Sequence, residues 1–434
     1  MKHYGNFVTA VTVSIASLLP GFALASNRVS QVPGNDWVTL WGAMPQLTEP
    51  ANLPPPPFNR TGRVFDNSSI RQTVKVSLDA DVIRLQLTNA FGGSDLPITA
   101  VTVALPSEQV AGISGIQQDT LQTLTFSGTE SFIIPNGAVV VSDPVEFSVA
   151  AQSILSISIY LQNGQATNYI TSHPGSRTTS HFVSGNHIND EDFEGGASAD
   201  HWYFIDSIEG QLSEGSTIAF VGDSITDGRG STTNGNDRWP DQLLSRMQES
   251  GRLNKTAILN VAAGGNRILA DGLGPNALGR IDRDVISHSG VEYAIIFEGI
   301  NDIGTGPTDA TTQRRIGERV IQAYDQMIHR LHRRGITVYG ATLTPAGGSD
   351  NGYGHPNREV TRQTLNTWIR ENGKFDAVID FDAATRDPQQ PTRLLPRYDT
   401  GDHLHLNPAG FAAMAAAVDL ELFQQSACKR FARL

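Results

Sequence analysis

The stretch FVGDSITDGRGS, residues 220–231, decides how this chain is read. Its first residues continue the apolar run Thr217, Ile218, Ala219, Phe220 and Val221, the pattern of a strand buried on both faces. The run then breaks at Gly222, Asp223 and Ser224 into small polar residues. A serine directly after a buried strand is a turn residue, a helix cap or a nucleophile, and residues elsewhere must decide which.

Working toward the C-terminus, short apolar strands alternate with helical segments. Strands are expected at 218–221, 257–261, 293–297, 336–343 and 377–379, and helices at 240–250, 281–287, 312–334, 358–371 and after Pro408. The 312–334 helix carries Ile316, Val320, Tyr324, Met327 and Leu331 on one face and meets its stop at Gly335. Its Arg314, Arg315, Glu318 and Arg319 read as a solvated face. Five strands interleaved with helices predict a parallel, three-layer α/β domain.

Toward the N-terminus the period changes to two. Val74, Val76 and Leu78 lead into Ile83, Leu85 and Leu87; Val145, Phe147 and Val149 lead into Leu155, Ile157, Ile159 and Leu161. Turn signals at Gly92-Gly93, Pro135-Asn136-Gly137 and Asn163-Gly164 separate these runs. This half is expected to be an antiparallel β-sandwich. The first residues, with an apolar stretch between Phe7 and Leu19 and the small-x-small Ala23-Leu24-Ala25, have the form of a secretory signal peptide. The expected organisation is a signal peptide over residues 1–25, a β-sandwich over 26–212 and an α/β domain over 213–434, in an exported protein.

A formal net charge of −12 without a basic run argues against nucleic acid and anionic membranes as partners. No stretch beyond the leader has the roughly 18 apolar residues of a membrane span. Cys428 is the only cysteine, which excludes an intrachain disulfide. Sequons stand at Asn59, Asn67 and Asn254.

In a parallel α/β domain ligands bind at the carboxyl ends of the strands. The first strand ends in Gly222-Asp223-Ser224, the second in residues 260–267 with Gly264-Gly265, and the third in residues 298–302 with Asn301-Asp302. Before the last helix stands Asp402-His403-Leu404-His405. These are the parts of acyl transfer: a hydroxyl, an imidazole to take its proton, a carboxylate to orient the imidazole, and amide donors for an oxyanion. Asp223 and Asp302 are expected to hold loops through side-chain to backbone hydrogen bonds. Trp239 reads either as core or as pocket lining, and the polar loop 173–181 reads as plain surface, with contact to substrate over the active site as the lesser reading.

GDS at the first strand, a glycine five residues after Asn260, G-x-N-D at the third strand and D-x-x-H near the C-terminus together resemble the four blocks of the SGNH hydrolases, also called GDSL esterases and lipases. The resemblance covers about residues 216–424. It implies a flavodoxin-like α/β/α domain with Ser224 as nucleophile, His405 as base and Asp402 as its orienting carboxylate. It further implies an oxyanion hole from the N–H groups of Ser224 and Gly265 and the side-chain amide of Asn301, and no cofactor. Ile225 stands where the family's name has leucine. The G-x-S-x-G elbow of α/β-hydrolases is absent around Ser224. A metal site from Asp402, His403 and His405 is the lesser reading of that segment.

The β-rich front half before a GDS domain is similar to secreted xylan esterase-type members, which implies an O-acyl carbohydrate, polymeric or small, as substrate. The alternatives are a lipid acyl ester of the lysophospholipase kind and, in another class, a non-catalytic carbohydrate-binding or surface protein.

Overall fold

A computed structural model describes residues 36–348 and 352–423. The leader and Cys428 lie outside the described residues.

The alternating half is dominated by two large antiparallel sheets, with a three-stranded and a two-stranded sheet beside them. One large sheet is centred on Ile154–Leu161, paired with Ser68–Lys75 on one side and Ala100–Ala104 on the other; the second is centred on Ile205–Leu212 and Ala80–Thr88, with Asp36–Gly42 at its edge. Residues of period two meet between them: Leu155, Ile157 and Ile159 from one sheet, Ile83, Leu85, Leu87 and Ile208 from the other. The outer face of Ile154–Leu161 is buried as well. There Arg71 bonds Ser158 Oγ at 2.9 Å and the carbonyls of Ser114 and Asp190, so loops cover this face around a fully satisfied guanidinium. The architecture is the expected sandwich.

Antiparallel pairing ends at Leu212, and the first parallel strand starts at Ser216. We number the parallel strands β1 (Ser216–Gly222), β2 (Thr256–Asn260), β3 (Val291–Phe297), β4 (Thr337–Ala341) and β5 (Ala377–Ile379). Their spatial order is β2-β1-β3-β4-β5, all parallel, which puts the reversal of winding beside β1. Helices cover both faces. The longest, Ala310–His332, is capped by Asp309, which accepts from Thr312 N at 2.9 Å, and stops before Gly335 at φ +76°. It buries Val320, Tyr324, Met327 and Leu331, while Arg314, Arg315, Glu318 and Arg319 face solvent as expected. The helix expected at 281–287 is instead a short α-helix, Ala277–Ile281, widening into a π-turn over Asp282–Ile286; Arg280 and Asp284 form a buried ion pair across it at 3.0 Å. No helix among the described residues is long and apolar enough to cross a membrane.

Hydrogen bonds join the two halves. Thr217 Oγ1 donates to Thr39 O at 2.9 Å, Ile258 N to Ser77 Oγ at 3.1 Å, and Ala43 bridges to Asn260. The sandwich therefore abuts the strands that carry the candidate site.

Candidate active site

Strand β1 delivers Ser224 because the chain cannot continue straight past Gly222. A Cβ there would lie 2.6 Å from Thr226 Oγ1 and 3.0 Å from Phe297 O, so only glycine fits the crossing. Asp223 then caps the one-turn helix Ser224–Asp227, accepting from Ile225 N at 3.0 Å, as its expected loop-holding role requires. Ser224 is the first residue of that helix, so its N–H has no acceptor within it.

The segment before the last helix brings the imidazole. Ser224 Oγ lies 2.8 Å from His405 Nε2, and His405 Nδ1 lies 2.6 Å from Asp402 Oδ2. The carboxylate accepts the Nδ1 proton, which leaves Nε2 free to accept from the serine hydroxyl. Asp402 is fixed by the backbone: its Oδ1 accepts from the N–H of Leu404 at 3.0 Å and of His405 at 2.8 Å. Burial alone would raise Asp402, but the backbone N–H, ring and charge of His405 outweigh it and hold the carboxyl well below its ordinary range. His405, 5 % exposed, is pushed below its ordinary value by burial; the Asp402 bond opposes this, and the charges of Arg229 and Arg177 add to it.

The second and third strand ends supply amides. Gly264 N donates to Asp227 Oδ2 at 2.8 Å, whereas Gly265 N has no partner among the described residues. Gly265 has φ +72°, and a Cβ on it would lie 2.4 Å from Leu273. Asn301 is buried with its amide oriented: Oδ1 accepts from Tyr353 OH at 2.7 Å and Nδ2 donates to Asn266 O at 2.9 Å, leaving one Nδ2 proton over. Asp302, as expected, ties the same loop, accepting from Ile268 N at 2.8 Å and Leu269 N at 2.9 Å.

The structure thus brings Ser224, His405 and Asp402 into one hydrogen-bonded chain at the carboxyl end of the parallel sheet, the end that also carries Gly265 and Asn301. His403 points elsewhere, its ring on Asp399, and no group of three or more metal-ligating side chains is placed to hold a metal among the described residues. Trp239 is core, fully buried edge-on against Phe220 and Phe381. The 173–181 loop departs from its expected surface character: His173, Ser176, Thr178 and Ser180 are buried. The reason is packing against the Ser224–Asp227 helix, with His173 Nε2 2.9 Å from Asp227 Oδ1. Sequence reading missed that contact and Tyr353. It also missed Glu298, wholly buried, whose two carboxyl oxygens have no hydrogen-bond partner among the described residues. Burial, together with the charge of Asp223, raises Glu298 well above its ordinary value, and burial raises Asp223 to about 7.

The sequence profile of the GDSL-like Lipase/Acylhydrolase family matches residues 220–413. No curated protein matches the chain. Among solved structures, it is similar to the lipase/acylhydrolase from Enterococcus faecalis at 20% identity, covering 46% of this chain and 92% of that one with a TM-score of 0.36. It is similar to a GDSL-like lipase from Bacteroides thetaiotaomicron at 19% identity, covering 50% and 89%, TM-score 0.34. An acetyl xylan esterase is similar at 19% identity, covering 46% and 96%, TM-score 0.34. At these levels the structural likenesses carry no argument about substrate. Residues 220–413 thus form a GDSL-like lipase/acylhydrolase domain, and the chain is an ester-hydrolysing enzyme.

Proposed function

We propose that this chain is an exported serine esterase in which Ser224, His405 and Asp402 are the catalytic triad. The observation that carries the reading is the unbroken chain from Asp402 through His405 to Ser224 Oγ, with bonds of 2.6 Å and 2.8 Å. Ser224 Oγ attacks the ester carbonyl carbon while His405 Nε2 takes its proton, and Asp402 keeps the ring in the tautomer that can accept it. The carbonyl oxygen becomes an oxyanion and accepts from Gly265 N–H, Ser224 N–H and the remaining Nδ2 proton of Asn301. Collapse breaks the carbon–oxygen bond to the alcohol, which leaves with the proton from His405. Water, deprotonated by the same imidazole, then attacks the acyl-serine and releases the acid.

For substrate we propose a short O-acyl ester of a carbohydrate. The charges of Arg177 and Arg229 bear on His405, and Arg177 lies in the 173–181 loop of the sandwich, so that side of the site is polar rather than apolar. Such a rim suits a hydroxyl-rich alcohol better than an acyl tail. The leader over residues 1–25 and the division into a sandwich over 26–212 and a hydrolase domain over 213–434 belong to this proposal.

The test is trapping. A fluorophosphonate should add to the Ser224 peptide and to no other, as read by peptide mass spectrometry; labelling elsewhere with Ser224 unmodified would overturn the assignment. Acetyl and long-chain acyl esters of one alcohol should then differ in kcat/KM in favour of acetyl. A long-chain preference would move the substrate to the lipid class.

A further inference from the structure

We propose that His173, contributed by the β-sandwich, is a positioning residue for ester hydrolysis: through the carboxylate of Asp227 it sets which glycine amide of the second strand-end loop faces the oxyanion. The inference rests on the reading of Gly265 N–H as an oxyanion donor.

The connection is a four-group relay across the seam between the two halves. His173 Nδ1 lies 3.0 Å from Met44 O, and Nε2 lies 2.9 Å from Asp227 Oδ1. The Met44 carbonyl can only accept, so Nδ1 donates to it, and Nε2 shares a hydrogen bond with the Asp227 carboxyl. Both partners are buried, at 5 % and 3 % exposure, and Trp202 stacks on the ring with centroids 5.8 Å apart.

On its far side, Asp227 Oδ2 accepts the Gly264 N–H at 2.8 Å. Asp227 is three residues after Ser224, so one carboxylate links the nucleophile helix to the oxyanion loop. With the Gly264 amide held there, the next amide, Gly265 N–H, is the one left without a partner among the described residues.

The sandwich is built around this carboxylate. A Cβ on Gly175 would lie 1.8 Å from Asp227 Oδ2, so the backbone of the 173–178 turn comes as close as glycine allows. Arg238 makes a second tie over the same seam, donating from Nε to Asp227 O at 2.9 Å and from its terminal nitrogen to Ser176 O. A buried His–Asp pair is weak evidence for a stability role, because desolvation offsets most of its attraction. Fixing the geometry of an oxyanion donor is the use these contacts fit, since a displacement of about 1 Å there costs on the order of 10²-fold in rate.

The test compares p-nitrophenyl acetate kinetics of the full protein with those of five variants. Asp227→Ala releases Gly264 and should lower kcat about 10- to 100-fold with little change in KM. His173→Ala should lower kcat similarly, and the double variant should be no worse than Asp227→Ala, because the two act as one unit. Asp227→Asn is the conservative rescue: its amide nitrogen can donate to a neutral His173 whose Nδ1 still donates to Met44, while its oxygen keeps Gly264. It should stay within about 3-fold of wild type.

A purely structural role would shift the urea midpoint and leave kcat per folded molecule unchanged, and that result in Asp227→Ala would overturn the inference. An Asp227→Asn variant that is folded yet as slow as Asp227→Ala would overturn it too, and this arm stands even where the alanine variants do not fold. Ser224→Ala separates the two levels. If it is inactive while the relay variants are unaffected, only the relay fails; if it is as active as wild type, the serine esterase reading itself has failed.

Discussion

In the proposed mechanism, replacing Asn301 by alanine removes one oxyanion donor and nothing else that touches the reacting atoms. The side chain makes two bonds in the resting protein, to Tyr353 OH at 2.7 Å and Asn266 O at 2.9 Å, and these orient its remaining Nδ2 proton. That proton gains most when the carbonyl oxygen has become an oxyanion, so its loss falls on kcat rather than KM. One such donor is worth about 2.7–4 kcal/mol, or about 10²- to 10³-fold. The variant also leaves the buried Asn266 carbonyl without that donor, at about 1–3 kcal/mol of stability. Steady-state hydrolysis of p-nitrophenyl acetate, with urea unfolding on the same preparation, reads both effects. A folded Asn301→Ala variant with kcat within about 3-fold of wild type would refute the placement of the hole.

Further predictions concern the base, its carboxylate, the core and the buried acid. His405 must be neutral to act, and burial lowers its pKa, so kcat/KM should rise with pH through a midpoint below about 6.5 and then level; a midpoint above that value would contradict the burial argument. Asp402→Ala removes the acceptor for the Nδ1 proton and two backbone bonds, and should lower kcat by about 10²- to 10⁴-fold with the protein still folded; a change of only a few-fold would detach Asp402 from the triad. Trp239→Ala should reduce the unfolding free energy by about 3–5 kcal/mol; an effect confined to KM would instead make it pocket lining. Glu298 holds its proton in the fold but is ionised in the unfolded chain above about pH 4.3, so the folded state binds more protons and loses stability as pH rises past that value. The stability of Glu298→Gln relative to wild type should therefore increase between pH 5 and pH 8 by urea titration; a constant difference would mean Glu298 is ionised in the fold.

The elements whose side chains see one environment were legible in the sequence. Period two in 154–161 and five buried strands among helices gave the two architectures, because each pattern has one way to bury its apolar face. The residues of the proposed site were legible for another reason: Ser224, Gly265 and Asn301 follow the ends of parallel strands, and His405 stands three residues after Asp402 before the last helix. Contacts across the seam were not legible. His173 and Asp227 are 54 positions apart in different halves, and neither has a local pattern that names the other. The same holds for Tyr353 and Asn301, which are 52 apart. Glu298 directly follows a buried strand; its burial depends on the packing of Tyr324 OH on Glu298 O and of Arg280, 3.9 Å away, both from other elements. The π-turn at Asp282–Ile286 escaped notice because its apolar spacing over so few residues fits an α-helix equally well.

The central claim is that Ser224 is the nucleophile. Hydrolysis of p-nitrophenyl acetate by wild type and by a Ser224→Ala variant shown to be folded by circular dichroism tests it most directly. The account predicts turnover by wild type and none above background by the variant; equal rates in the two would contradict it.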